Sequence, residues 1–384
     1  MLSVAVIGAG PAGCMSAINI DKDIDVTLFD KNVPLKTLLP TGGGRCNFTH
    51  DSFDIKDLVK NYPRGEKFLY SVFSKFGIQN TLDFFESIGI KSYTQDNGRI
   101  FPVSNSAKDV REKLLQQINH CNFIHEEVIS IENIENGFSI KTNKSKYFFN
   151  IVIISTGGKS NYKIIENLGH TIIEPCPSLC GLVTTPHFTN LQGVSVRNCK
   201  ITCNRKNYIG DILFTNDGIT GPAVFEISSY MARENFPYKI TIDFINQDID
   251  WQDLFNKNPH KSLKNIVSEL LPKSITVELL KNIDLSIEGC NIKSEIKKDI
   301  IKTLQNKVFN ITGTRKNGET VTSGGVKLSE VDNKTMMSKL VDNLYFAGEV
   351  LDIDGLCGGF NLQNCWSTGY ISGQAINSKI NLKK

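Results

Sequence analysis

The first thirty residues contain the pattern that most constrains the fold of this chain. The stretch "LSVAVIGAGPAGCMSAINI" predicts a buried strand, a tight glycine turn and a helix. Gly8, Gly10 and Gly13 form a G-x-G-x-x-G pattern, in which the first glycine permits the turn, the second lets a pyrophosphate approach the backbone, and the third lets the helix pack against the strand. The helix N-terminus offers free N–H groups and a positive dipole end to phosphate. The pattern therefore predicts a Rossmann-like dinucleotide-binding domain.

A second predicted strand, "DVTLFD", ends in Asp30, about 20 residues further on, where this pattern places the acid that binds a ribose. The alternative is that Asp30 only caps the end of a strand. We expect the following N-terminal residues to contact the cofactor: Gly8, Ala9, Gly10, Pro11, Ala12, Gly13, Asp30 and Lys31.

The C-terminal stretch "DNLYFAGEVLDIDGLCGGFNLQNCWSTG" helps to choose between NAD and FAD. A short apolar strand at 344–347 is followed by a glycine-rich loop and a predicted helix from about Asn361, and this order resembles the C-terminal flavin motif of two-dinucleotide-fold flavoproteins. In that resemblance Glu349 binds the ribityl chain, while the backbone near Gly359 and Phe360 and the helix N-terminus face the flavin pyrimidine. An ordinary glycine loop that caps a helix is the alternative. The candidate FAD-binding residues here are Gly348, Glu349, Gly358, Gly359, Phe360 and Asn361.

A third motif lies in the middle of the chain. "IVIISTGG" predicts a buried strand at 151–154 followed by Thr156, Gly157 and Gly158, and it resembles the turn that crosses beside FAD in the same superfamily. The chain is therefore expected to leave the dinucleotide domain, insert other structure, and return near its end.

The whole set of motifs resembles the BaiN/YhiN-like family of FAD-dependent oxidoreductases. The resemblance rests on "GGGRCNFT", "GRIFPVS", "GDILFTNDGITGPAVFEIS", "TSGGV" and the C-terminal motif, and it is weakest between about 250 and 310. It implies an α/β fold class: a Rossmann-like FAD-binding domain of the two-dinucleotide-binding flavoprotein type, interrupted by a β-barrel-like domain and a small helical domain. The expected boundaries are 1–184 and 320–384 for the FAD-binding domain, 185–250 for the β-rich domain and 251–319 for the helical subdomain.

By the same resemblance Gly42, Gly43 and Gly44 lie against FAD, where only bare backbone fits. Arg45, Cys46 and Asn47 are the candidate catalytic residues, and Arg45 and Cys46 are also candidate FAD contacts. Arg45 either stabilises negative charge on the flavin or substrate, or contacts the pyrophosphate. Cys46 lacks the second nearby cysteine of a dithiol relay, so it is either a small packed residue or a thiol that protonates substrate carbon. Asn216 stands where the family often has His, and His50 is assigned no role.

The family implies tightly bound FAD and three kinds of activity: reduction of C=C bonds in steroid-like acids, oxidation of a small amino-ketone, and reduction of a uracil in large-subunit ribosomal RNA to dihydrouridine. We expect hydride transfer from flavin N5 to an electron-poor C=C bond, with NAD(P)H as the donor. Because the sequence has no second G-x-G-x-x-G, NAD(P)H is expected to bind transiently. The alternatives are a small-amine oxidase, a non-catalytic FAD-binding module and, last, an NAD-only dehydrogenase.

Charge and cysteine usage limit the partners that the chain is expected to have. A net charge of +3 over 384 residues does not indicate a chain that holds nucleic acid by charge alone. Two basic clusters remain candidates for ribosomal RNA, with a solvated face as the alternative: Arg197, Lys200, Arg205, Lys206 with Tyr208, and Lys293, Lys297, Lys298, Lys302, Lys307. The ten cysteines contain no C-x-x-C, so no metal site is expected.

The N-terminus lacks the basic segment of an export signal, and no apolar run is long enough to span a bilayer. We therefore expect a cytoplasmic protein that acts on a small-molecule substrate or on ribosomal RNA, without a membrane. No stable protein partner is inferred.

Overall fold

The computed structural model describes residues 2–315 and 321–381. The predicted domain ends at residues 1, 319, 320 and 384 lie outside the described residues. Two compact units are present: unit 1 consists of Met1–Cys176 and Val321–Lys384, and unit 2 of Pro177–Thr320. The division into four predicted segments stays a prediction.

The strands of the described residues are numbered in chain order. They are β1 Ser3–Ile7, β2 Asp25–Phe29, β3 Thr49–His50, β4 Ser92–Thr94, β5 Arg99–Pro102, β6 Asn122–Ile124, β7 Val128–Ile134, β8 Gly137–Thr142, β9 Lys146–Phe149, β10 Ile151–Ile154, β11 Ile172–Ser178, β12 Leu182–Thr185, β13 Ser195–Cys203, β14 Lys206–Phe214, β15 Gly218–Thr220, β16 Tyr238–Asp243, β17 Lys307–Thr314, β18 Val321–Val326 and β19 Leu344–Phe346.

The α-helices of the same residues are numbered likewise. They are α1 Pro11–Ile18, α2 Ile55–Val59, α3 Glu66–Lys75, α4 Ile78–Ser87, α5 Ala107–Gln117, α6 Lys163–Glu166, α7 Pro222–Tyr230, α8 Trp251–Lys257, α9 Leu263–Ser268, α10 Lys273–Leu279, α11 Ser294–Gln305 and α12 Phe360–Asn381.

A parallel sheet in the order β19-β10-β1-β2-β6 forms the centre of unit 1. Its central strands β1 and β10 are almost entirely apolar because both faces of the sheet are covered there. Along β1, Val4 and Val6 enter one apolar cluster, and Ala5 and Ile7 enter the cluster on the opposite face. The carboxyl ends of β1, β10 and β19 are therefore neighbours, and each is followed by one of the glycine-rich motifs.

Helices α1 and α12 pack against each other on this sheet through small residues. Ser16 Oγ and Ser372 Oγ lie 2.8 Å apart and share a hydrogen bond. A Cβ on Gly369 would lie 2.6 Å from the carbonyl oxygen of Ala12, so only glycine permits this approach. The first and last motifs of the sequence are thus held together by a close helix pair.

Unit 2 is built on a closed barrel in the order β12-β15-β14-β13-β16-β17. Helices α8 to α11 lie in the sequence between the adjacent barrel strands β16 and β17. Barrel residues such as Ile242 and Phe309 share one apolar cluster with helical residues such as Trp251 and Leu263. The barrel and the inserted helices of unit 2 therefore share a single core.

The predicted fold class is confirmed: a Rossmann-like parallel sheet is interrupted in sequence by a barrel and by helices. Helices α3 and α4 are separated at Gly77, which is the N-cap of α4. Helix α7 lies within the region predicted to be β-rich. Among the described residues, none of the helices is both long and apolar enough to cross a membrane.

Candidate functional site

The G-x-G-x-x-G turn joins β1 to α1 and has little space for side chains. Gly8 has a φ of +98°, and a Cβ there would lie 2.5 Å from the carbonyl oxygen of Ser155. A Cβ on Gly13 would collide with the carbonyl oxygen of Gly8. Helix α1 begins with Pro11, and its first turn carries no acidic residue and no side-chain cap within the described part of the chain. The N–H groups at this helix end are therefore suited to an anion.

Asp30 follows the last residue of β2, and its side chain is hydrogen-bonded to the glycine turn. Its Oδ2 accepts a hydrogen bond from the Ala9 backbone N–H at 2.9 Å, and its Oδ1 accepts one from Asn32 N–H at 2.7 Å. The Lys31 ammonium instead binds Glu127 Oε1 at 2.8 Å, and both side chains are exposed. Asp30 therefore stands beside the turn, and its contact with a ribose stays a prediction.

The glycine triplet after β2 needs left-handed backbone at each position. Gly42, Gly43 and Gly44 have φ values of +57°, +69° and +86°. A Cβ on Gly42 would lie 2.7 Å from the backbone nitrogen of Asn47, whereas a Cβ on Gly43 would meet no described atom within 4 Å. Steric closeness thus explains glycine at position 42, and backbone conformation explains it at position 43.

Arg45, Cys46 and Asn47 have different environments. The Arg45 guanidinium lies 4.3 Å from the centre of the Phe101 ring, and its Nε donates to the carbonyl of Gly42 at 3.2 Å. Cys46 is fully buried, and burial raises the pKa of its thiol to about 12 although a hydrogen bond with Thr41 opposes the shift. Such a thiol is not a nucleophile near neutral pH, and its complete burial favours the interpretation of Cys46 as a packed residue.

Asn47 is nine-tenths buried, and its Oδ1 has no hydrogen-bond partner among the described residues. A buried acceptor without a partner costs roughly 1–3 kcal/mol. The Asn47 side chain is therefore suited to accept a hydrogen bond from a bound molecule beside the glycine triplet.

The segment after the glycine triplet is tied to the C-terminal helix α12. Trp366 Nε1 donates to the carbonyl of Phe48 at 2.9 Å, and Thr49 Oγ1 donates to Gln363 Oε1 at 2.6 Å. A Cβ on Gly359 would lie 2.5 Å from the carbonyl oxygen of Thr49, so the loop before α12 touches the backbone of β3. These contacts bring together two motifs that lie more than 300 positions apart in the sequence.

Glu349 lies where the middle and C-terminal motifs meet. Its Oε1 accepts a hydrogen bond from Thr322 N–H at 2.7 Å, and a Cβ on Gly158 would lie 3.0 Å from the same oxygen. Burial raises the pKa of this carboxyl to about 7. The preceding Gly348 has a φ of +78°, and a Cβ there would lie 2.6 Å from the Cβ of Ala12 at the start of α1.

The remaining predicted residues lie in the turns of the middle and last motifs. Thr156 Oγ1 shares a hydrogen bond with Ser160 Oγ at 2.6 Å, and a Cβ on Gly157 (φ +76°) would meet no described atom within 4 Å. Asn361 Oδ1 accepts from Gly355 N–H at 2.8 Å, and its Nδ2 donates back to the Gly355 carbonyl, so this side chain braces the loop. The buried Phe360 ring stacks on His50 with ring centres 4.7 Å apart.

Sequence reasoning missed a polar group beside the last glycine loop. Arg99 Nη2 donates to the exposed Cys357 Sγ at 3.5 Å. A Cβ on the neighbouring Gly358 would lie 3.3 Å from the His50 ring, so the three side chains surround one stretch of loop. Burial lowers the pKa of His50. Arg99 lies in "GRIFPVS" and Cys357 lies in the C-terminal motif. Their membership of these two motifs was the feature of the sequence that could have indicated the contact.

Asn216 lies in unit 2 and is held by an arginine. Arg315 Nη2 donates to Asn216 Oδ1 at 3.4 Å, and Arg315 Nε binds Asp217 Oδ1 at 2.7 Å. An amide in this position accepts a hydrogen bond but does not transfer a proton near neutral pH.

The candidate RNA-binding residues also lie in unit 2. Arg205 is in the β13–β14 turn, and the Lys206 ammonium lies 4.4 Å from the centre of the Tyr230 ring. Tyr208 is buried, so its ring is not exposed for base stacking. On α11, Lys298 and Lys302 are exposed.

Known proteins match this chain over nearly its whole length. A family model described as HI0933-like protein Rossmann domain matches residues 2–375. The 3-dehydro-bile acid delta(4,6)-reductase of Clostridium scindens is 29% identical over 409 residues, covering 98% of this chain and 99% of that protein. The ribosomal RNA dihydrouridine synthase of Escherichia coli is 31% identical over 402 residues, covering 97% of each. Among solved structures, Mycobacterium smegmatis Sdh1 has a TM-score of 0.48 at 13% identity, covering 98% of this chain and 68% of its own.

Proposed function

We propose that this chain, which belongs to the HI0933-like protein family, is an FAD-dependent oxidoreductase that reduces an electron-poor C=C bond with NAD(P)H as the hydride donor. The observation that carries the proposal is the convergence in unit 1 of three glycine-rich motifs at the neighbouring carboxyl ends of β1, β10 and β19. Open α/β sheets bind ligands at the carboxyl ends of their strands.

The residues present fit an extended dinucleotide. The turn from Gly8 to Gly13 and the N-terminus of α1 would hold the pyrophosphate, and Asp30 would bind a ribose. Glu349 would bind the ribityl chain, and α12, which begins at Phe360, would turn its N-terminus to the pyrimidine ring. An unpartnered Asn47 oxygen and the open space beside Gly43 and Gly157 support a bound group at this place.

FAD, when bound, supplies hydride transfer at N5, and the protein supplies orientation and charge. The N-terminus of α12 and the Arg45 guanidinium stabilise negative charge that develops on the ring system or on a substrate carbonyl. Arg45 is pre-oriented for this role because Phe101 and the Gly42 carbonyl fix its guanidinium. Asn47 Oδ1 accepts a hydrogen bond from the bound group.

A uracil in large-subunit ribosomal RNA is the second candidate substrate, since its C5–C6 bond is an electron-poor C=C bond. The observations that favour it are the 31% identity to a ribosomal RNA dihydrouridine synthase and the exposed basic residues of unit 2. A small unsaturated acid is favoured by the similarity to a bile acid reductase. The two candidate substrates would undergo the same reduction of a C=C bond. They differ in the molecule that carries this bond, a ribosomal RNA or a small acid.

The test begins with the visible absorption spectrum of the purified protein, repeated without oxygen after addition of NADH or NADPH. We expect a yellow protein that bleaches with one nucleotide and regains colour with an enone or with unmodified ribosomal RNA. A protein that is colourless after incubation with FAD contradicts the proposal. A yellow protein that bleaches with neither nucleotide but with a small amine is an amine oxidase, and one that bleaches with nothing is a non-catalytic flavin module.

The two substrate classes are then separated by salt. Reoxidation by RNA is expected to weaken steeply between about 50 and 200 mM salt, because phosphate contacts release counterions, whereas reoxidation by a neutral enone is not. The Arg205→Ala/Lys206→Ala variant should reduce the salt slope with RNA and leave enone turnover unchanged. The Lys108→Ala variant, which removes an exposed lysine of unit 1, is the matched control.

A further inference from the structure

Two distant segments of unit 2 place three different metal-ligand types together. His260, Glu288 and Cys290 each offer one ligand atom, and these three atoms lie within 4.8 Å of one another. His260 Nδ1 is 3.8 Å and Cys290 Sγ is 3.9 Å from Glu288 Oε2. Because His260 and Glu288 are 28 positions apart, the ligand spacing was not visible in the sequence.

The backbone holds the two segments in register. Gly289 N–H donates to the carbonyl of Lys261 at 3.0 Å, and Cys290 N–H donates to the carbonyl of Pro259 at 3.0 Å. Ser262 and Glu288 form an antiparallel bridge. The three side chains therefore start from backbone positions that are fixed before any metal binds, which lowers the entropy cost of binding.

The donor set matches zinc in type and nearly in geometry. Zinc takes thiolate sulfur at about 2.3 Å and imidazole nitrogen or carboxylate oxygen at about 2.0–2.2 Å in a tetrahedral arrangement, so neighbouring ligand atoms stand about 3.4–3.7 Å apart. The separations of His260 Nδ1 and Cys290 Sγ from Glu288 Oε2 exceed this by a few tenths of an ångström. All three ligand atoms lie within 4.8 Å of one another, and their exposed side chains can adjust to close the site. Zn²⁺ with one thiolate, one carboxylate and one neutral imidazole has no net charge, and the nearby Lys261 ammonium is bound to Glu269 at 2.8 Å.

We propose that His260, Glu288 and Cys290 form a zinc site of three protein ligands, with water in the fourth position. On binding, Cys290 Sγ loses its proton to solvent, and three metal–ligand bonds form without any change of oxidation state. The metal links residue 260 to residues 288 and 290 and so closes the segment that contains α9 and α10. We expect it to stabilise the helical part of unit 2, because it restricts this segment in the unfolded chain. The proposal is independent of the proposed oxidoreductase function.

The test is zinc binding by the full-length protein, stripped with a chelator, desalted and titrated with Zn²⁺ against a chromogenic zinc indicator. We expect the His260→Ala and Cys290→Ser variants each to weaken binding at least about tenfold. The His120→Ala/Cys121→Ser variant is the matched control, because it removes another neighbouring histidine and cysteine, 3.5 Å apart, and should leave zinc affinity unchanged. Equal zinc affinity in the wild type and in His260→Ala/Cys290→Ser would show adventitious binding and overturn the proposal.

Cobalt provides a readout that does not depend on affinity. Co²⁺ in this site should give a thiolate-to-cobalt charge-transfer band that is absent from Cys290→Ser and present in Cys121→Ser. Zinc should also raise the midpoint of thermal unfolding of the wild type but not of Cys290→Ser, whose metal-free midpoint shows that the variant folds. A cobalt complex without the thiolate band would contradict the assignment of Cys290 as a ligand.

Discussion

The Glu349 carboxylate accepts a hydrogen bond from the Thr322 backbone N–H at 2.7 Å, 27 positions earlier in the chain. Thr322 lies on β18, which belongs to the part of unit 1 that follows the inserted segment. The contact therefore links the returning chain to the C-terminal motif, and it places a half-buried acid between them. Burial raises the pKa of this acid to about 7, which makes its protonation measurable in the working pH range.

Glu349→Gln is expected to stabilise the flavin-free protein at high pH. The pKa of Glu349 is about 7 in the folded protein and about 4.5 in the unfolded chain, so the folded state loses stability as pH rises from 4.5 to 7. An amide avoids this loss and still accepts the Thr322 hydrogen bond. Relative to wild type, the variant should gain about 1–3 kcal/mol in free energy of unfolding between pH 5 and pH 8, measured in urea.

The control for this measurement is Glu127→Gln, which removes an exposed carboxylate. Its difference from wild type is expected to vary little with pH compared with that of Glu349→Gln. A Glu349→Gln difference that is the same at pH 5 and pH 8 would mean that the carboxyl is already ionised in the folded protein at pH 5. The same variant should bind FAD more weakly if Glu349 holds the ribityl chain.

Two glycine substitutions should separate folding from cofactor binding. Gly13→Ala places a methyl group against the Gly8 carbonyl and should cost about 3 kcal/mol or more of stability. Gly43→Ala meets no described atom and should cost about 1–2 kcal/mol, because alanine disfavours a φ of +69°. We expect Gly43→Ala to fold and to bind FAD at least about tenfold more weakly than wild type, measured by flavin fluorescence. Unchanged FAD affinity in folded Gly43→Ala would remove Gly43 from the cofactor site.

Cysteine labelling tests the interpretation of Cys46 as a packed residue. Cys46 is fully buried, whereas Cys290 and Cys357 are exposed. With iodoacetamide at pH 8, mass spectrometry should find Cys290 and Cys357 modified and Cys46 unmodified until urea is added. Cys46→Ala should retain turnover within about threefold, because loss of a general acid costs about a hundredfold or more. A hundredfold loss in a folded, flavin-loaded Cys46→Ala variant would instead support Cys46 as the proton donor.

Local patterns predicted the parts of the site that depend on backbone conformation. Glycine spacing and apolar runs are local properties, and they predicted the turn from Gly8 to Gly13 and the strand at 151–154. They also predicted a strand at 344–347, which the structure has at 344–346. The Trp366–Phe48 and Thr49–Gln363 hydrogen bonds connect distant segments, and no local pattern encodes them.

The exposure of each cysteine also could not be predicted from the local sequence. Cys46 stands two positions after Gly44, and Cys357 stands directly before Gly358. Cys46 is nevertheless buried, whereas Cys357 is exposed beside Arg99. Exposure depends on which distant segments pack over a residue. For the same reason the His260–Glu288–Cys290 cluster became visible only when two segments were seen to pair.

The sequence left two roles open for Arg45, which are contact with the flavin ring and contact with the pyrophosphate. Because its guanidinium is fixed over Phe101 and beside the Gly42 carbonyl, we expect it to act on the charge of the reduced ring. Arg45→Ala should then lower the two-electron potential of the bound flavin by about 30 mV, equivalent to about 1.4 kcal/mol, in a dye-equilibration titration. Arg45→Lys keeps the positive charge, so it should lower the potential by less than Arg45→Ala does. Lys108→Ala should leave the potential unchanged. If Arg45→Ala instead weakens FAD binding and leaves the potential unchanged, Arg45 contacts the pyrophosphate.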